Sequence, residues 1–222
     1  MNYSNVAFFG DSWVYGDELD NNDNSFPNLL GAKNFAKSGS SNPGLIQRFY
    51  EVDKNFNTAI FCLTEASRII YYGDKNNYID TQYIKNDHPL HDTHQKLMSL
   101  SSDYDQDMKV SQTCYILYNW CKKLNIFPYF INIWTSQLGE SFVWNLISKE
   151  SFLLPITNNL IKQVFDTQKF FPDKDTPQDF GIWRTTRNED FYSFIYPNTG
   201  HPNELGHQKI AKWFEEKINK ST

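Results

Sequence analysis

At 222 residues the chain has room for one sizeable hydrophobic core, and a formal charge of −5 with no basic block argues against nucleic acid as a partner. No apolar run approaches the ~20 residues that cross a bilayer, and Met1-Asn2-Tyr3-Ser4-Asn5 has neither the basic nor the apolar segment of a signal peptide, so a cytoplasmic location without membrane attachment is expected. The three cysteines, Cys62, Cys114 and Cys121, are odd in number and lack metal-ligand spacing, which predicts reduced, buried thiols.

Along the chain, Asn5 to Phe9 reads as a buried strand that stops abruptly at Gly10-Asp11-Ser12. Such a turn has two readings. It can present a serine at the carboxyl end of a first strand, or it can simply be a strand-to-helix turn capped by Asp11 or Ser12. An acidic, Asn-rich loop, Asp17 to Asn24, leads to a short helix, Ser25 to Leu30, with Ser25 at its cap and Pro27 in its first turn. Asn34-Phe35-Ala36 is a short strand that runs into the turn-rich Lys37-Ser38-Gly39-Ser40-Ser41-Asn42-Pro43-Gly44. A helix is expected from Pro43 to Asp53, with Leu45, Ile46, Phe49 and Tyr50 on its apolar side.

Thr58 to Thr64 is continuously apolar, as parallel strands buried on both faces are. The stretch from about 73 to 105 turns polar and aperiodic and reads as an insertion or long loop. A helix from Asp107 to Leu124 follows, with Val110, Cys114, Leu117, Cys121 and Leu124 at helical spacing, then a strand from Phe127 to Trp134. Ser141 to Ser148 and Thr157 to Thr167 look helical, and Phe170 to Arg187 looks irregular. Asn203 caps a last helix carrying Leu205, Ile210, Phe214 and Ile218. Strands alternating with helices predict a three-layer α/β/α sandwich with a mostly parallel central sheet, in one domain over 1–222.

Ahead of the last helix stands Tyr196-Pro197-Asn198-Thr199-Gly200-His201-Pro202-Asn203. A histidine in that loop can reach across the carboxyl edge of the sheet and act as general base for a serine on the first strand. The order Gly10-Asp11-Ser12, Gly39 within Ala36-Lys37-Ser38-Gly39-Ser40-Ser41-Asn42, then His201-Pro202-Asn203 resembles the SGNH (GDSL-type) hydrolases, esterases and lipases with a flavodoxin-like three-layer fold. The resemblance implies Ser12 as nucleophile, His201 as general base, and the N–H groups of Ser12 and Gly39 as oxyanion donors. It implies no cofactor and no metal.

Two positions depart from that pattern. The family's Gly-x-Asn-Asp block is replaced by Leu63-Thr64-Glu65-Ala66-Ser67-Arg68, so its oxyanion-binding asparagine is missing, with Thr64 or Ser67 as the available hydroxyl and Thr64 the expected donor. Where the family has Asp three residues before the histidine, this chain has Asn198, whose amide oxygen can hold the ring without stabilising an imidazolium by charge; Asp190 or Glu189 is the substitute acid. Arg68, just past the third strand, either holds an anionic or sugar substrate or pairs with Glu65; it and Asn42 are the expected substrate contacts.

These residues predict a serine-dependent ester hydrolase acting on a small polar ester, with an acylated carbohydrate favoured by the Trp- and Tyr-rimmed polar loops. The alternative is a catalytically weakened binding or structural protein on the same fold, glycan-binding or virion-associated if the chain is phage-encoded. His88, His91 and His94 are spaced by three, but Pro89 breaks the helix that would align them, so a polar loop is preferred to a metal site. His207 is expected to cap or pack the last helix.

Overall fold

The computed structural model describes residues 2–64, 70–72, 78–80, 89–133, 138–165, 193–196 and 200–221. Strand β1 (Val6–Phe9) leads into a single helical turn, α1 (Ser12–Tyr15), and then into α2 (Phe26–Leu29), β2 (Lys33–Asn34) and α3 (Asn42–Glu51). Strand β3 (Thr58–Leu63) is followed by a short antiparallel pair, β4 (Ile70–Tyr72) and β5 (Tyr78–Asp80). The helices α4 (His91–Leu100) and α5 (Asp103–Lys123) precede β6 (Phe127–Asn132). Two 3-10 turns, Phe142–Leu146 and Lys149–Ser151, come before α6 (Leu160–Phe165) and α7 (Glu204–Ser221).

The main sheet runs β2-β1-β3-β6 with every pairing parallel. The central strands β1 and β3 are buried on both faces, so side chains of the sheet alternate between two cores. Val6, Phe8, Ile60, Cys62 and Ile131 face the layer of α2, α6 and α7, where Phe8 meets Phe26 and Phe214 edge-on at 5.4 and 5.2 Å. Ala7, Phe9, Phe61, Leu63 and Phe130 face α3 and α5. On that face the register places Phe9, Phe61 and Phe130 side by side on three neighbouring strands, stacked at 5.1 and 5.4 Å. Each such aromatic pair adds about 0.5–1.5 kcal/mol beyond its buried area. This is the expected α/β/α sandwich around a parallel sheet.

Several element boundaries differ from expectation for local reasons. The polar stretch 73–105 contains β5 and α4, and α5 begins at Asp103 because Ser102 and Asp105 form a reciprocal capping box there. In α3, Tyr50 is exposed and leans on Trp120, while Leu45 and Phe49 fill the core. Leu124 and Leu205, expected on buried helix faces, are exposed at helix ends. The segment 141–148 is a 3-10 turn, and the helix expected from 157 starts only at Leu160. The region Phe170 to Arg187 lies outside the described residues. Among the described residues, no helix is long and apolar enough to cross a membrane.

The strand order puts the site in place. The chain leaves β1 for β2 on one side and returns to β3 on the other. The reversal lies between β1 and β3, and the carboxyl ends of such strands are where open parallel sheets form their ligand crevice. Ser12 follows β1 at that point and Thr64 follows β3.

Candidate active site

The turn carrying Ser12 is set by its own sequence. A side chain at Gly10 would place its Cβ 2.3 Å from Val14 Cγ2, so only glycine lets β1 fold so closely onto α1. Asp11 caps the helical turn, Oδ1 accepting from Trp13 N–H at 3.1 Å, and Gly16 closes it. Ser12 therefore stands at the first helical position with its side chain at the crevice, and it is nearly buried, 6% exposed.

His201 arrives from the other end of the chain. Its loop is closed by Tyr196 N–H to His201 O and Gly200 N–H to Tyr196 O, both 2.8 Å. Asn203 then caps α7, as expected, accepting from Gly206 N–H at 3.0 Å while its Nδ2 donates to Ser193 O at 2.8 Å. The result brings His201 Nε2 to 3.0 Å from Ser12 Oγ. On the other side of the ring, Nδ1 lies 3.2 Å from Glu18 Oε1. Glu18 was not a candidate from the sequence; Asn198, Glu189 and Asp190 were, and all three lie outside the described residues. The signal was weak because Glu18 sits in a polar loop and meets His201 only through the fold.

Gly39 occupies the turn after β2 with φ 70°, the left-handed region where glycine is at no disadvantage. That turn is stitched to the turn carrying Ser12: Lys37 N–H donates to Gly10 O at 3.1 Å, and the Ser38 hydroxyl donates to Asp17. Gly39 is thereby held beside the carboxyl end of β1.

Two expected site residues do other work. The Thr64 hydroxyl donates to Asp11 Oδ2 at 2.7 Å, so its hydrogen points to a carboxylate and not to an oxyanion. Asn42 is 1% exposed; its Nδ2 donates to Thr64 O and its Oδ1 accepts from Thr64 N–H, both at 3.0 Å. It clamps the end of β3 like an added strand residue and is closed to a ligand. Asp11, Thr64 and Asn42 thus brace the ends of β1 and β3 against α3. Arg68 and Ser67 lie outside the described residues.

Cysteine chemistry is absent from the site. Cys62, beneath the Gly10–Ser12 turn, has its thiol pushed well up, chiefly by burial and then by Asp11, which keeps it protonated and unreactive. His207 is fully buried; its Nδ1 accepts from Phe26 N–H at 3.1 Å and its ring stacks on Phe26. Burial, and then nearby His201, pull its pKa down to about 3, so it stays neutral and packs α7 onto α2. His88 lies outside the described residues, and among the described residues no group of three His, Cys, Asp or Glu side chains is placed to hold a metal.

No protein-family model matches the chain, and no curated protein matches it. Solved structures do. The chain is similar to the psychrotrophic esterase EstA from Pseudoalteromonas sp., a structure described as inhibited by monoethylphosphonate, with TM-score 0.53 and 11% identity over 97% of both chains. A two-domain esterase (CEX) active on acetylated mannans, co-crystallised with mannopentaose, aligns with TM-score 0.49 and 11% identity over 97% of this chain and 49% of that one. The likeness to EstA is one of fold: an α/β sandwich around a parallel sheet.

Proposed function

We propose that this protein is a serine-dependent ester hydrolase. The observation that carries the reading is the 3.0 Å approach of His201 Nε2 to Ser12 Oγ at the crevice where the strand order reverses. Ser12 Oγ attacks the ester carbonyl while His201 Nε2 takes its proton. The carbonyl electrons move onto oxygen, and the N–H groups of Ser12 and Gly39 donate hydrogen bonds to the resulting oxyanion. As the intermediate collapses, the ester C–O bond breaks, Nε2 returns the proton to the departing alcohol, and Ser12 is left acylated. Water then repeats the sequence and frees the acid. The fold shared with an esterase supports this reading, as does the mutual position of two residues that the sequence resemblance had paired. The substrate class we propose is a small polar ester, with acetylated carbohydrates the first to try.

One observation favours the second reading, a fold kept for binding. Thr64, the expected third oxyanion donor, has its hydroxyl committed to Asp11. Losing one donor costs about 10²–10³ in rate, which slows an esterase without abolishing it. The test is p-nitrophenyl acetate hydrolysis and fluorophosphonate labelling of wild type, Ser12→Ala and His201→Ala. Wild type is expected to turn over and label, with each variant lower by about 10⁴-fold or more. Wild-type hydrolysis no faster than that of Ser12→Ala would overturn the proposal.

A further inference from the structure

We propose that Glu18 is the acidic partner of His201, a positioning residue supplied by the nucleophile's own turn and not by the histidine loop. The inference rests on the reading of Ser12 and His201 as the hydrolytic pair. The imidazole is bridged on both sides, with Glu18 Oε1 3.2 Å from Nδ1 and Ser12 Oγ 3.0 Å from Nε2. An ionised carboxylate only accepts, so facing it Nδ1 carries the hydrogen, and Nε2 is left as the acceptor that a serine proton needs. During attack the Ser12 proton passes to Nε2, the Nδ1 hydrogen stays on the ring, and Glu18 stays ionised against the imidazolium until Nε2 hands its proton to the leaving alcohol.

The backbone supports this assignment independently of the distance. Glu18 has φ 71°, a left-handed conformation that a residue with a side chain keeps only where its surroundings hold it there. They do. Asp17 N–H donates to Ser12 O at 3.1 Å, Leu19 N–H donates to Gly16 O at 3.3 Å, and the Leu19 side chain is buried. With Gly16 at φ 90°, the chain doubles back straight after α1 and delivers the carboxylate six residues beyond the nucleophile. Two neighbouring carboxylates are otherwise engaged: Asp17 accepts from the Ser38 hydroxyl, and Glu204 accepts from Asn24 Nδ2 at 2.9 Å. The acid and the nucleophile are thus built as one rigid unit, and only His201 has to be brought in from elsewhere in the fold.

Glu18→Gln, Glu18→Asp and Asn198→Ala are to be compared with wild type in steady-state hydrolysis of p-nitrophenyl acetate, with melting temperatures taken alongside. In Glu18→Gln, kcat is expected to fall about 10²–10⁴-fold with KM within about threefold, Glu18→Asp recovering part of the loss and Asn198→Ala losing less than Glu18→Gln. Proton NMR supplies a readout that does not need turnover. A strongly deshielded imidazole N–H resonance is expected in wild type and in Ser12→Ala, and is expected to vanish in Glu18→Gln and His201→Ala. Glu18→Gln with near-wild-type kcat, or a resonance that survives it, overturns the inference; so does a large loss in Asn198→Ala alone. A wild type that hydrolyses no ester sinks the esterase reading by itself, and the resonance still decides whether Glu18 holds the ring.

Discussion

His201 and His207 lie six residues apart, yet one sits at a crevice and the other in a sealed core, and the difference has a thermodynamic consequence. The His207 ring is neutral when folded, with its pKa lowered to about 3 by burial, whereas the unfolded chain protonates it near the ordinary value of about 6.5. Below that value the unfolded state binds the extra proton. The stabilisation from a neutral His207 is therefore complete above pH ~6.5 and is lost as pH falls towards 3, at up to about 1.4 kcal/mol per pH unit. Urea melts between pH 7 and 4.5 are expected to show wild type weakening more steeply than His207→Phe, which keeps the packing on Phe26 and removes the titration. Equal slopes would assign the acid sensitivity to other groups. At this scale the sequence was informative where a motif carries a role and silent where geometry does. Ser12 and His201 stand in short recognisable strings, and a packing role was expected for His207. Glu18 could not be found, because nothing in an acidic loop marks which carboxylate the fold will set beside the His201 ring.

Among the elements, α5 holds the segment after β6 through one buried charge. Asp107 is 1% exposed; Oδ1 accepts from Gly139 N–H at 3.0 Å and Trp144 Nε1–H at 2.8 Å, and Oδ2 accepts from Ser141 N–H at 2.6 Å. Ser141 in turn caps the following 3-10 turn, accepting from Val143 N–H at 3.2 Å. Asp107→Asn replaces an acceptor with an amide that must turn its NH₂ towards one of these donors, so a loss of about 2–4 kcal/mol is expected. Thermal unfolding checks it, with Asp105→Asn, an exposed capping residue on the same helix, expected to lose about 1 kcal/mol or less. Equal losses in the two variants would show that the buried carboxylate does no more than a surface cap. The helix itself was legible from Val110, Cys114, Leu117 and Cys121. Its extra turn depended on the Ser102 capping box, and α4 was missed because its exposed Leu97 and Leu100 leave no apolar stripe to detect.

Across the whole molecule, the two halves of the site come from opposite ends of the chain, and the last helix joins them. Continuous apolar strands alternating with helices made the parallel sandwich readable. The order β2-β1-β3-β6, which opens the crevice beside Ser12, is a property of the assembled sheet. How α7 seats against the histidine loop is equally invisible in one dimension, and it turns on Gly206. A Cβ there would stand 2.2 Å from Phe194 O and 3.0 Å from Pro202 Cβ, so the helix and the strand-like segment leading to His201 touch with no side chain between them. Phe194 O already accepts from Asn203 N–H at 3.0 Å, so it cannot retreat without breaking the closure of the loop. Gly206→Ala is therefore expected to push the two apart, lowering the melting temperature by about 2–4 °C for each kcal/mol lost. Because His201 rides on the displaced segment, fluorophosphonate labelling of Ser12 is expected to slow about tenfold or more, although no group of the site has been changed. Wild-type labelling and wild-type melting in Gly206→Ala would show that the loop adjusts freely, and that the reach of His201 to Ser12 does not depend on how the last helix is packed.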